Sequence, residues 1–215
     1  MKRAIHGLII LVSILFVSCL GVQLETSFNP DGSGVITMRI RVSQTLLEMG
    51  DETDVPIPIS QEEIEAAYAD VEGLTLIDAY EEETEEDRVL VAAIAFDDFE
   101  AVSEQEDFAG VTLSQEGDLT VYRVVVGEET EEGDDEAMSE GDGETSDEDA
   151  EMAEAMEAMI MAFMEGYFIE YRVVAPSEVV SFSHGELFED GRTVELRIPM
   201  ADYMNLEPYV FEVTW

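Results

Sequence analysis

The sequence predicts an α+β fold: a mostly antiparallel sheet with helices packed on one face. Three observations predict it. Runs of alternating apolar and polar residues recur along the chain, turn-forming residues join them in pairs as hairpins, and only a few segments carry a helical period. An acidic run from Glu128 to Asp149 interrupts this order as an insertion, so the domain is expected in two parts, 19–127 and 150–215, around a disordered stretch at 128–149.

The first segment lies outside the fold. Lys2 and Arg3 precede an apolar run from Leu8 to Val17, and Ser18, Cys19, Leu20 and Gly21 follow. That is the layout of a secretory signal, expected over 1–18. An ordinary signal peptidase wants small residues at two alternating positions, and Phe16 stands at the first of them. Phe16-Val17-Ser18-Cys19 instead resembles a lipobox, with Phe16 where Leu is usual and Leu15 one place early. The resemblance implies a covalent diacylglycerol and an acyl chain on Cys19. Cys19 is the only cysteine, so no internal disulfide can use it, and lipidation gives the thiol a role. The alternative is an uncleaved span over Ala4 to Leu24, almost the roughly 20 apolar residues a crossing needs. Gly7, Gly21 and the cut site argue against it. Either way the remainder is expected to be extracytoplasmic and anchored to a bacterial membrane.

Next, Val22, Leu24 and Phe28 alternate with Gln23, Glu25 and Ser27, and Ile36, Met38, Ile40 and Val42 alternate with Thr37, Arg39, Arg41 and Ser43. Pro30-Asp31-Gly32-Ser33-Gly34 joins the two as a hairpin. Thr45 to Gly50 fits a short helix, and the prolines of Val55 to Ile59 force extended chain. Ser60 and Glu63 form a capping box ahead of the stripe Ile64, Ala67, Tyr68 and Val71, which predicts the first firm helix. Strands are expected at Leu74 to Tyr80 and Val89 to Phe96, and a short helix at Phe99 to Gln105. A hairpin follows, Val111 to Leu113 with Leu119 to Val126. Beyond the insertion come a helix over Ala150 to Gly166 and strands at Tyr167 to Val174, Val179 to Ser183, Thr193 to Pro199 and Tyr209 to Trp215.

Charge excludes some functions. The chain holds 52 acidic residues and 9 basic ones. Loss of Lys2 and Arg3 with the signal leaves seven basic residues, a mature net charge of about −45. Such a surface repels phosphate, so no nucleic acid partner is expected. It repels anionic headgroups too, so membrane contact must come through the lipid or an apolar patch. Acids spread through the whole chain resemble the surfaces of proteins from salt-loving microbes; simple solubility by self-repulsion explains them as well.

Enzyme chemistry finds little support. Without the signal, His184 is the only histidine, and its neighbour Ser183 is expected to point to the opposite strand face, which argues against a serine triad. One histidine and a lipidated cysteine cannot build a zinc site. Asp142 to Ala153 has Asp147 where a calcium loop needs glycine, so loose cation binding is the most the acidic segment offers, and no cofactor is expected. Met152, Met156, Met159, Phe163 and Met164 share one face of the expected helix, and Ile160 and Met161 widen it. A methionine-rich face adapts to acyl chains or to a varied partner, and it also suits a core.

The lipidated Cys19, the alternating strand, the Asp-Gly-Ser-Gly turn and the second alternating strand resemble the opening of the LppM-type lipoprotein domain. Gly185 and Asp190-Gly191-Arg192-Thr193-Val194-Glu195-Leu196 are similar to that family's late turn and strand. The resemblance covers Cys19 to about Ser43 and about Val179 to Leu196. It implies an extracytoplasmic α+β domain concerned with membrane lipids, with no catalytic residue to carry over. Many members also have a C-terminal membrane segment, for which this sequence shows no counterpart. The expected function is therefore that of a non-enzymatic, membrane-anchored lipoprotein binding an apolar ligand or an envelope protein. A carboxylate-based hydrolase, such as a glycoside hydrolase, is the alternative; two carboxylates in a cleft would favour it.

Overall fold

The computed structural model describes residues 20–45, 47, 60–69, 71–105, 108–127, 164–203 and 206–215. In chain order the elements are β1 (Leu20–Phe28), β2 (Gly34–Ser43), α1 (Gln61–Tyr68), β3 (Leu74–Glu83), β4 (Asp87–Phe96), α2 (Phe99–Ser103), β5 (Val111–Glu116), β6 (Leu119–Val126), β7 (Phe168–Val174), β8 (Ser181–Phe182), β9 (Glu186–Leu187), β10 (Thr193–Pro199), α3 (Met200–Tyr203) and β11 (Tyr209–Thr214). The α+β class is borne out. Cys19, the signal, the acidic insertion and all of the methionine face except Met164 lie outside the described residues.

The expected single sheet is two. Seven strands pair in the order β3-β4-β2-β1-β7-β10-β9, and four in the order β5-β6-β11-β8. All pairs are antiparallel except β1 with β7, which run parallel, Val22 opposite Ile169 and Ser27 opposite Val174. The split follows from alternation. Both sheets have an apolar face, and the cheapest way to dry both is to press them together. Ile36, Ile94, Phe96 and Val173 come from the large sheet, and Tyr122, Val124, Phe211 and Val213 from the small one, into one core. Helices therefore cover less of the large sheet than expected. The short α2 buries Phe99 and Val102 beside the core, and α1 buries Tyr68. The expected strand at Val179 to Ser183 shrinks to the two residues of β8, Ser181 and Phe182, which pair with Thr214 and Val213 of β11, while Val180 and Ser183 on either side of them bond to β11 as well.

Local chemistry matches the sequence closely elsewhere. The Ser60 hydroxyl accepts from the Glu63 N–H at 3.2 Å, the cap that starts α1, and donates to the Glu63 carboxylate at 2.8 Å, so the two capping-box residues meet through the serine hydroxyl. In the first turn the Asn29 N–H reaches the Ser33 carbonyl at 2.8 Å, and Gly32 takes φ +89°. Gly34 serves packing instead. A Cβ there would sit 2.2 Å from the Ser27 carbonyl oxygen and 2.4 Å from the Phe96 ring.

Register gives the sandwich two distinct ends. At one, Leu20 lies opposite Val42, Ser43 opposite Asp87, Glu83 opposite Arg88, and Phe168 opposite Pro199. At the other, Phe28 lies opposite Gly34, Gly34 opposite Phe96, Phe96 opposite Leu74, and Thr193 opposite Val174. That second end is filled by aromatic rings. Phe28 meets Trp215, Phe99, Phe96 and Tyr122 with centroids 5.1 to 5.7 Å apart.

Candidate functional site

With the apolar residues of β1 and β2 turned into the core, the alternate residues face outward, and these include Arg39 and Arg41. Strand pairing then assembles polar rungs across the outer face of the large sheet. One rung runs Arg39, Gln23, Glu170, Arg197; the next runs Thr37, Glu25, Arg172, Glu195. Four of the seven arginines that follow the signal, Arg39, Arg41, Arg172 and Arg197, converge on this face of a chain with formal net charge −43. It is the local exception to the molecule's charge.

Carboxylates meet most of these cations. Arg39 donates to Glu82 at 3.1 Å, and Arg172 bonds to Glu195 and reaches Glu25 at 3.4 Å and Glu170 at 3.8 Å. Arg197 sits instead over the Phe168 ring, its guanidinium carbon 3.4 Å from the ring centre. Two shallow hollows lie side by side along the face. One, of about 340 Å³, is lined by Gly21, Gln23, Arg39, Arg41, Asp87 and Tyr167 among others. The other, of about 390 Å³, includes Arg39, Arg172 and Arg197 with Glu25, Glu170 and Glu195, equal numbers of the two signs. Gln23 and Arg39 are common to both.

Two carboxylates on this face are buried, and their surroundings differ. Asp87 accepts from the Tyr167 hydroxyl at 2.6 Å and from Arg41 Nε at 2.7 Å, while the Arg41 guanidinium lies 5.0 Å from the centre of the Tyr167 ring. Burial, followed by the bond to Asp87, pushes the Tyr167 hydroxyl far up, so it stays a donor at every ordinary pH. Glu170 is 7% exposed. Burial first and the neighbouring Glu195 second raise its pKa, against the opposing pull of Arg172, Arg197 and a Gln23 hydrogen bond. This face thus offers planar, bidentate groups of both signs and two flanking rings. Such an array suits a neutral or zwitterionic polar partner better than a bare anion or cation.

The residues singled out from sequence fare differently. Met164 is buried against Ile169 and Met200, part of a small second core. Cys19, Met152, Met156, Met159, Ile160, Met161 and Phe163 lie outside the described residues. Ser183 and His184 were expected to point apart, yet Ser183 Oγ and His184 Nδ1 are 3.0 Å apart, because the chain bends between β8 and β9 instead of continuing as a strand. The serine hydroxyl is nevertheless occupied. It accepts from the Glu212 N–H at 2.8 Å and reaches the Val210 carbonyl at 3.1 Å, while His184 packs on Tyr209, centroids 4.4 Å apart. That is a latch between a bend and β11. Among the described residues no group of three or more His, Cys, Asp or Glu is placed to hold a metal, and no helix is long and apolar enough to cross a membrane.

Sequence reasoning did not single out the polar face. Its one legible signal was the outward parity of Arg39 and Arg41; Asp87, Glu170, Arg172, Glu195 and Arg197 join them only through strand register.

No family model matches the chain, and no curated protein matches it. Among solved structures, the NMR structure of the folded domain of Mycobacterium tuberculosis LppM matches 92% of this chain and 89% of its own, at 14% identity and a TM-score of 0.43. The chain is similar to LppM. That is the family its two ends resemble in sequence. At this identity and score the likeness to LppM brings no ligand, partner or site residue across.

Proposed function

We propose that this chain is an exported, lipid-anchored domain without chemistry of its own, which binds a lipid or a protein of the bacterial envelope. The observation that supports it is how directly Cys19 adjoins the sheet. β1 starts at Leu20, the residue after Cys19, and it is an interior strand of the large sheet, paired by β2 on one side and β7 on the other. A lipid on Cys19 would hold the domain through its own core. The working surface in this reading is the polar outer face, where the rung from Arg39 to Arg197 meets the headgroup of a lipid or an extended protein segment. The acyl part of a lipid needs an apolar surface, the role expected of the methionine run at 150–164. Cys19→Ala should move the protein from the membrane to the soluble fraction and abolish incorporation of labelled fatty acid; equal labelling of the variant would end the reading. Native mass spectrometry of protein drawn from its own membranes then identifies what it carries.

A second reading, a carboxylate-based glycoside hydrolase, has one observation in its favour. Glu170 is buried with a raised pKa, and Glu195, whose charge helps to raise it, accepts a hydrogen bond from Arg172 on the same face. Release of sugar from cell-envelope glycans that Glu170→Gln abolishes would establish it.

A further inference from the structure

We infer that the end of the sandwich formed by Leu20, Ser43, Asp87 and Tyr167 is a membrane-docking surface, seated on a zwitterionic lipid headgroup layer, with the Phe28 end pointing away. The inference rests on the lipid attachment proposed at Cys19. Between Cys19 and the first residue of β1 there is a single residue step, about 3.5 Å of chain. Leu20 and Gly21 pair with β2, and from Val22 the strand is paired on both sides, so at most two residues can lengthen that tether without breaking the sheet, and the end carrying Leu20 must lie close against the surface that holds the lipid.

The paths of the chain agree. Each long stretch outside the described residues joins the described chain at this same end. Residues 1–19 precede Leu20. Residues 48–59 follow the segment where Gln44 donates to the Glu86 carbonyl at 2.8 Å, and rejoin just before Gln61, whose N–H reaches Glu81 of β3 at 2.6 Å. Residues 128–163 leave after Gly127, which lies against Pro208 and Leu206, and rejoin at Met164, whose carbonyl accepts from the Tyr167 N–H at 3.1 Å. Leu206 bonds to Tyr203, and Met200 to Tyr167, which ties Gly127 to the same rim. At the opposite end, among the described residues, the chain reverses through tight turns such as Asn29 to Ser33 and Gly117-Asp118.

Surface chemistry selects the partner. Tyr167, Phe168 and Tyr203 are half-buried at this rim, the kind of ring that settles at headgroup depth. Glu83, Glu85 and Glu86 are exposed on it and repel an anionic layer, which leaves a zwitterionic one. The hollow lined by Arg41, Asp87 and Tyr167 then opens at the level of the headgroups.

The test uses the full chain extracted with its lipid and reconstituted in phosphatidylcholine vesicles that carry a nitroxide quencher just below the headgroups. Cys19 is the only cysteine, and a thioether blocks it, so a new cysteine takes a thiol-reactive fluorophore alone. Glu86→Cys places the label at the docking rim and Asp118→Cys at the far end, beyond a nine-residue strand about 26 Å long. Quenching at position 86 with none at position 118 is the expected result. Equal quenching, or more at 118, on protein whose intact mass includes the acyl groups overturns the docking orientation and leaves the anchor standing. Two labels per chain and no acyl mass overturn the anchor, and the orientation falls with it.

Discussion

Glu170 shows how one residue can work against the fold that holds it. Burial and the charge of Glu195 raise its pKa above the ordinary value of 4.5, so the folded state binds this proton more tightly than the unfolded chain does. Its contribution to stability is therefore fully present below about 4.5 and is lost as pH rises through the folded value. Glu170→Gln keeps the shape and removes the charge. The variant should be at least as stable as the parent at pH 7, and its stability should vary less with pH in mild acid. Urea midpoints measured from pH 4 to pH 7 check this; a variant that is weaker at pH 7 would mean that the ionised carboxylate is held favourably by Arg172 and Arg197.

At the scale of elements, glycines that look alike in sequence do different work. Gly32 and Gly34 both read as turn residues in Asp-Gly-Ser-Gly, but only Gly32 has positive φ, and a Cβ on it meets nothing within 4 Å. Gly32→Ala should cost about 1 kcal/mol, the penalty of a left-handed backbone. Gly34→Ala drives a methyl group into the Ser27 carbonyl and the Phe96 ring at the start of β2. It should cost at least about 2 kcal/mol, as overpacking of a rigid site does. Denaturant unfolding of the two variants separates the causes, and equal losses would mean that β1 and β2 can part freely. Met164→Glu tests the one described residue of the methionine face. It buries a carboxylate against Ile169 and Met200 and should cost on the order of 3 kcal/mol at pH 7, less in acid where the carboxyl takes a proton. A neutral result would show that Met164 faces out.

Over the whole molecule, 52 acidic residues against 9 basic ones set a repulsion that the arginine-rich face offsets only locally. Raising ionic strength from about 0.1 M to about 1 M shortens the screening length from ~10 Å to ~3 Å, which weakens repulsion between scattered acids more than it weakens bonded pairs such as Arg41 with Asp87. The melting temperature should rise with salt. A fall would mean that the paired face carries more of the stability than dispersed repulsion removes.

The sequence by itself determined the class of fold, the places of most strands, the capping residues of α1, the turn at Pro30 to Gly34 and the outward parity of Arg39 and Arg41. All of these are local, fixed by periods of two residues and by side chains that bond within three or four positions. It did not determine that the strands divide into two sheets, that β1 and β7 run parallel, or that Ser183 and His184 touch. Nor did it show that Glu170, Arg172, Glu195 and Arg197 line up with Gln23 and Arg39. Each of these depends on which strand pairs with which and in what register, over separations such as the 147 residues between Glu25 and Arg172. Pairing at that range is decided by burying the apolar faces of both sheets at once. No window of sequence contains that condition.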